Sequence, residues 1–147
     1  MPFPLALANL ETTVLDACAE EDHWPAQVAA GIYAGIDYAI NNPEVVETLA
    51  LNDSPGAEPL RRYESVIGRL AGFLQAGAPI ERRLPGSTDE ALVAGVVGLV
   101  GDHLRIGRFD RLAELRADLV LLTLLPYLGF AEAQKWANWA DQSNPTA

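Results

Sequence analysis

The chain has 147 residues, the usual size of one domain, and carries 20 acidic against 10 basic side chains for a formal charge of -10. That balance repels phosphate backbones, and the sole basic grouping (Arg61, Arg62, Arg69, Arg82 and Arg83) is ringed by acids, so the chain itself is not expected to bind nucleic acid. A single cysteine, Cys18, excludes an intrachain disulfide and accords with a reducing cytoplasm.

The pattern along the chain is helical, rich in Ala and Leu and poor in period-two alternation. "MPFPLALANLE" lacks the basic n-region of a signal peptide. A first helix is expected from about Leu5 to Glu20. Asp22 to Trp24 turns the chain, and Pro25 suits a first helical position. The second helix runs to about Asn41, with Ala29, Tyr33, Ile36 and Ile40 on one face. Pro43 opens a short third helix to about Leu51, and "NDSPGAEP" is a loop. A long helix from Leu60 to about Gln75 carries the stripe Leu60, Ile67, Leu70 and Leu74, flanked by Tyr63 and Phe73. "GAPIERRLPGS" is a second loop. Ser87 or Thr88 caps the next helix, which runs to about Ile106 with Gly107 as its C′ residue. The last long helix starts at Asp110 or Phe109 and ends near Leu128 and Gly129. A short one follows from Ala131 to Ala140, where Trp136 and Trp139 share a face that packs on the body. The polar tail "DQSNPTA", residues 141–147, ends the chain. The expectation is an all-α bundle of about six to seven helices, one domain over residues 1–140.

Two of these helices carry more apolar surface than one face can use. In "TDEALVAGVVGLVGDHLRIG", Leu92, Val96, Leu99 and His103 form one stripe, and Val93, Val97, Val100 and Leu104 form a second beside it. Ala91, Gly95, Gly98 and Asp102 form a third, of small residues. Glycine inside a helix costs up to about 1 kcal/mol relative to alanine, so Gly95, Gly98 and Gly101 call for a close neighbour. "LVLLTLLPYLG" is apolar all round, and such a helix is normally covered on every side. No apolar run reaches the roughly 20 residues that span a bilayer, so protein rather than membrane is the cover. About six to eight Val and Leu side chains left in water would forgo on the order of 10–20 kcal/mol, more than a typical domain's net stability. A second copy of the chain is the simplest cover. It would use Val93, Val97, Val100, Leu104, Val120, Leu121, Leu124 and Leu125 in a four-helix bundle about a two-fold axis.

Residues 89–133 resemble the end of TetR-type transcriptional regulators. Glu90 to Val93, Arg105 to Arg108 and the closing Leu125 to Gly129 carry the likeness, and residues 24–49 look like the helix pair that opens that family's ligand domain. The resemblance implies an effector-binding and dimerisation domain whose last two long helices make the dimer. That family's DNA-reading helix-turn-helix, of about fifty residues, has no counterpart in this chain. Operator binding is therefore not carried over, whether the chain is a fragment, a late start or a natural short protein. The expected function is sensing a small, largely apolar molecule. The alternative is a DNA-binding-deficient partner that modulates a full-length regulator.

A ligand cavity is expected among the helices at 25–41, 60–75 and 88–106, with Tyr33, Asp37, Tyr63, Ile67, Leu70, Val96, Leu99 and His103 as candidates. Against this, Tyr33 and Tyr63 also suit core positions, Asp37 an exposed one, and His103 a helix C-terminus. "CAEEDH" at Cys18 to His23 holds adjacent residues that do not converge on one ion, so no metal is expected. There is no Gly-rich phosphate loop, and Cys18 has no evident base. Neither enzymatic activity nor a cofactor is expected.

Overall fold

A computed structural model describes residues 3–42 and 57–144. The helix expected at Pro43–Leu51, the Leu60 side chain and the last three residues of the tail lie outside the described residues. Among those described are six α-helices, a single 3-10 turn and no strand. They are α1 (Phe3–Ala19), α2 (Trp24–Asn41), α3 (Ala57–Gly77), α4 (Thr88–Arg105), α5 (Phe109–Leu128) and α6 (Phe130–Ser143), with the 3-10 turn at Ile80–Arg82. The chain folds as an all-α helical bundle.

Local signals account for the helix ends. Pro25 sits in the first turn of α2, where its missing N–H breaks no helical bond. The N-terminus of α4 is not capped as the sequence suggests. Ser87 makes no capping bond, and the Thr88 hydroxyl donates instead to the Pro85 carbonyl at 2.7 Å. The C-terminus of α4 closes as a Schellman motif. Gly107 takes φ +75°, its N–H donates to the Leu104 carbonyl at 3.1 Å, and the Arg108 N–H donates to the His103 carbonyl at 2.9 Å. Gly129, at φ +81°, makes the corner between α5 and α6. α6 runs past Ala140 through Ser143, so Asp141 belongs to the helix rather than to a tail.

α2 is the organising element, packed against α1, α4, α5 and α6. One apolar cluster joins α2 through Ala29 and Tyr33 to Leu74 of α3, Val120, Leu124 and Tyr127 of α5, and Ala133, Ala137 and Ala140 of α6. Alanine at 133, 137 and 140 recurs at helical spacing and lets α6 lie close on α5. Trp136 and Trp139 pack against the same cluster and meet edge to face at 5.5 Å. A second cluster, of Ile36, Ala39, Val100, Leu104, Leu112 and Leu119, fills the end of the bundle near the α4–α5 turn.

These clusters cover most of α5 within one chain. Val120 and Leu124 are 0% exposed and Leu104 is 1% exposed. All three were expected at a dimer face, yet α2 and α6 already enclose Val120 and Leu124, and Leu104 packs in the second cluster. The helical wheel counts apolar faces without saying which neighbour takes each, and the closing short helix takes more of α5 than its length suggests.

Candidate functional site

A cavity of about 410 Å³ lies between the α1–α2 pair on one side and α3 and α4 on the other. The bundle leaves this space because small residues stand where large ones would fill it. Gly31 and Gly35 of α2 and Gly98 and Gly101 of α4 all reach its wall. At Gly31 the small residue is also needed for packing, since an added Cβ would stand 2.8 Å from Cys18 Sγ. The rest of the wall is overwhelmingly branched aliphatic, from Val14 of α1 through Ile32 and Ile36 of α2 to Val97 of α4. A volume of this size lies in the range of small-molecule pockets, about 300–1,000 Å³.

Four of the eight residues singled out from the sequence line this space: Tyr63, Ile67, Leu70 and Val96. The other four do not. Tyr33 is buried in the first cluster, on the side of α2 turned to α5 and α6. Asp37, one turn on, accepts a 2.7 Å bond from Arg116. Leu99 stands on the outer side of α4, 36% exposed. His103 is half-buried, with Nδ1 2.9 Å from the Leu99 carbonyl. Val93, Val97 and Val100, expected at a dimer interface, form the α4 wall of the cavity. Of the remaining interface candidates, Leu121 packs partly against the core and Leu125 is 38% exposed.

The α1 wall was missed from the sequence. Leu7, Leu10, Val14 and Cys18 recur at i, i+3, i+7 and i+11 and supply that side of the cavity. This periodicity is as clear as that of α2, but nothing in α1 hints at more than core packing. Burial pushes the Cys18 thiol up to about 11, against a lesser lowering by a backbone hydrogen bond. At neutral pH it is a protonated, inert wall group rather than a nucleophile.

Behind α2, away from the cavity, lies a polar network that holds α2 to α5 and α6. Arg116, in the core stripe between Leu112 and Leu119, is 7% exposed. It pairs with Asp37, donates to the Ala113 carbonyl at 3.1 Å and lies 4.8 Å over the Tyr33 ring. The Tyr33 hydroxyl donates to Asp141 of α6 at 3.5 Å. Burial first, and then the Asp141 charge, push this phenol up to about 12. A second buried contact fastens the hairpin of the two longest C-terminal helices. The Tyr127 hydroxyl near the end of α5 donates to Asp89 in the first turn of α4. Burial and that carboxylate hold Tyr127 well above the ordinary phenol range.

The Asp89–Tyr127 contact also fixes the level of α4 against α5. Residues 91–99 of α4 run beside the last three turns of α5. On α4, Ala91, Ala94, Gly95, Gly98 and Leu99 are exposed; on α5, Leu122 and Leu125 are 48% and 38% exposed. A Cβ added at Gly95 or Gly98 would meet nothing within 4 Å. Among the described residues, packing therefore gives no reason for Gly95, whereas Gly98 is exposed and also borders the cavity. Among the described residues, no helix is long and apolar enough to cross a membrane.

Compared with protein-family models, curated proteins and solved structures, the chain finds no match.

Proposed function

We propose that this chain is an effector-binding and dimerisation module of the TetR type. The observation that carries the proposal is the double role of α4. Its inner side, Val93, Val96, Val97 and Val100, walls an apolar cavity, and its outer side presents small residues that are exposed among the described residues. A ligand entering the cavity presses on the same helix that a second copy would touch, so occupancy and self-association share one mechanical element. The likeness of Arg105 to Arg108 and of Leu125 to Gly129 to the TetR pattern supports the same reading. The two features those motifs mark, the Schellman turn and the Tyr127–Asp89 clasp, are structural fasteners of the α4–α5 hairpin.

The dimer in this proposal differs in detail from one read off helical stripes. Its contact surface is Ala91, Ala94, Gly95, Gly98 and Leu99 with Leu122 and Leu125. Val120 and Leu124 stay in each subunit's own core. Light scattering combined with a screen of apolar compounds by thermal shift tests both halves. The expected result is a mass of twice 15.8 kDa and at least one apolar compound that raises the melting temperature. A folded monomer that no apolar compound stabilises would overturn the proposal.

A further inference from the structure

The cavity has a marked distribution of polarity that bears on what it holds, given the reading that it holds a ligand at all. Among the described residues, its body offers no charge. The Thr123 hydroxyl is committed to the Leu119 carbonyl at 2.8 Å, the Cys18 thiol is neutral, and Tyr63 adds one hydroxyl. Among the described residues, the charged members of its wall are Asp102 and Arg105, one turn apart at the end of α4, and they are ion-paired with each other. Their side chains are 67% and 51% exposed, so they stand at the rim.

This arrangement discriminates by charge. An ionised group in the cavity body would meet no counter-charge and would lose its hydration without replacement. At the rim, an anion must compete with Asp102 for Arg105, and a cation must compete with Arg105 for Asp102. A head that both donates and accepts can add to the pair without breaking it. The guanidinium has N–H groups beyond the one facing Asp102, and the carboxylate has lone pairs to spare. The body selects in turn for shape. Its wall is mainly Val, Leu and Ile, with Phe73 and Tyr63 as its aromatic members, and suits a flexible aliphatic chain.

We infer that the ligand is a neutral aliphatic amphiphile of the long-chain alcohol type. Its chain lies between α1 and α4, and its hydroxyl sits at the Asp102–Arg105 pair.

Titration calorimetry with 1-octanol, 1-decanol, decanoate and decyltrimethylammonium tests this, on the full chain with its solution mass checked in parallel. Decanol is expected to bind about tenfold tighter than octanol, the gain of two buried methylenes. Decanoate and decyltrimethylammonium are expected to bind at least tenfold more weakly than decanol. Asp102→Asn, which leaves Arg105 without its carboxylate, is expected to improve decanoate at least fivefold relative to decanol. Val96→Phe is expected to abolish decanol binding by filling the cavity, and Val93→Phe, one turn earlier, serves if the first fails to fold. A charged probe that binds the wild type as tightly as decanol would overturn the head-group assignment while leaving the cavity as a ligand site. Decanol binding that survives both fillings would place the alcohol elsewhere and overturn the inference. Failure of all four probes to bind would overturn it too, whereas the cavity reading falls only if the wider apolar screen is also empty.

Discussion

Asp37 and Arg116 divide one ion pair unevenly between water and core. The Arg116 side chain is 8% exposed and that of Asp37 43%. Removing the arginine leaves a carboxylate that water can reach; removing the carboxylate takes the anionic partner from a buried guanidinium that keeps its Ala113 carbonyl and Tyr33 ring contacts. Asp37→Ala is therefore expected to cost about 3 kcal/mol, and Arg116→Met about 1–2 kcal/mol. Urea denaturation of both variants measures the order, and a reversed order would mean that the contacts Arg116 makes besides Asp37 suffice to hold its charge. Tyr33, under the same guanidinium, gives a pH signature. Its phenol is pushed up to about 12 in the fold, whereas an unfolded tyrosine ionises near 10. The fold thus holds the proton more tightly than the unfolded chain does. Its contribution is full below about pH 10 and is lost as pH rises from there toward 12. Denaturant melts at pH 9 and pH 11.5 are expected to show a fall that Tyr33→Phe reduces; an equal fall in the variant would remove Tyr33 as a source. This network was only half legible in the sequence. Tyr33 and Asp37 stand out one turn apart, but their partner is a lone arginine in the stripe of Leu112 and Leu119. A cation in a core stripe announces that it needs a partner. It does not say which of 20 acidic residues, 79 positions away in this case, supplies it.

Helix α4 shows what periodicity can and cannot resolve. Its three adjacent stripes were visible as excess apolar surface. Which stripe faces the cavity, which the core and which the outside depends on the placing of α2, α3 and α5, and that is long-range information. The stripe of Val93, Val97 and Val100, which suits a dimer interface by periodicity alone, faces the cavity. Gly95 and the exposed Gly98, which also borders the cavity, carry the outer face instead. An exposed mid-helix glycine is a standing cost, and replacing it with alanine normally stabilises a helix by about 0.5–1 kcal/mol. Gly95→Ala with Gly98→Ala is thus expected to raise the helical stability of the subunit, because each added methyl meets open space within the chain. If a second copy packs there, the same two methyls hold the helices apart and weaken the dimer at least tenfold. Thermal melts at low concentration and sedimentation at several concentrations separate the two effects. A double variant that melts higher and associates unchanged would free this face from any role in assembly. The short closing helix α6 is the converse case. The face of Trp136 and Trp139 was legible, but the depth to which the helix buries Val120 and Leu124 was not, since the wheel of a 14-residue helix says nothing of what lies beneath it.

At the scale of the molecule, the all-α class and the order of the helices followed from punctuation by Pro and Gly and from Ala- and Leu-rich runs. The cavity was anticipated between the right helices save for α1. Helices that wrap a cavity and helices that wrap a core have the same periodicity, so the extra wall could not be told from packing. In the proposed reading α4 stands between a ligand and a second subunit, and the second subunit is the half that a single mass measurement tests. Leu122→Glu is a suitable probe because Leu122 is 48% exposed and a charge there leaves the subunit's core intact; Leu124→Asp would disrupt the core whether or not a dimer exists. The decisive measurement is the light-scattering mass of the wild type beside Leu122→Glu, each with its circular dichroism. The expected result is twice 15.8 kDa for the wild type and a helical 15.8 kDa species for the variant. A wild type that is helical and monomeric at high concentration would contradict it, leaving Gly95, Gly98 and Leu122 as open surface.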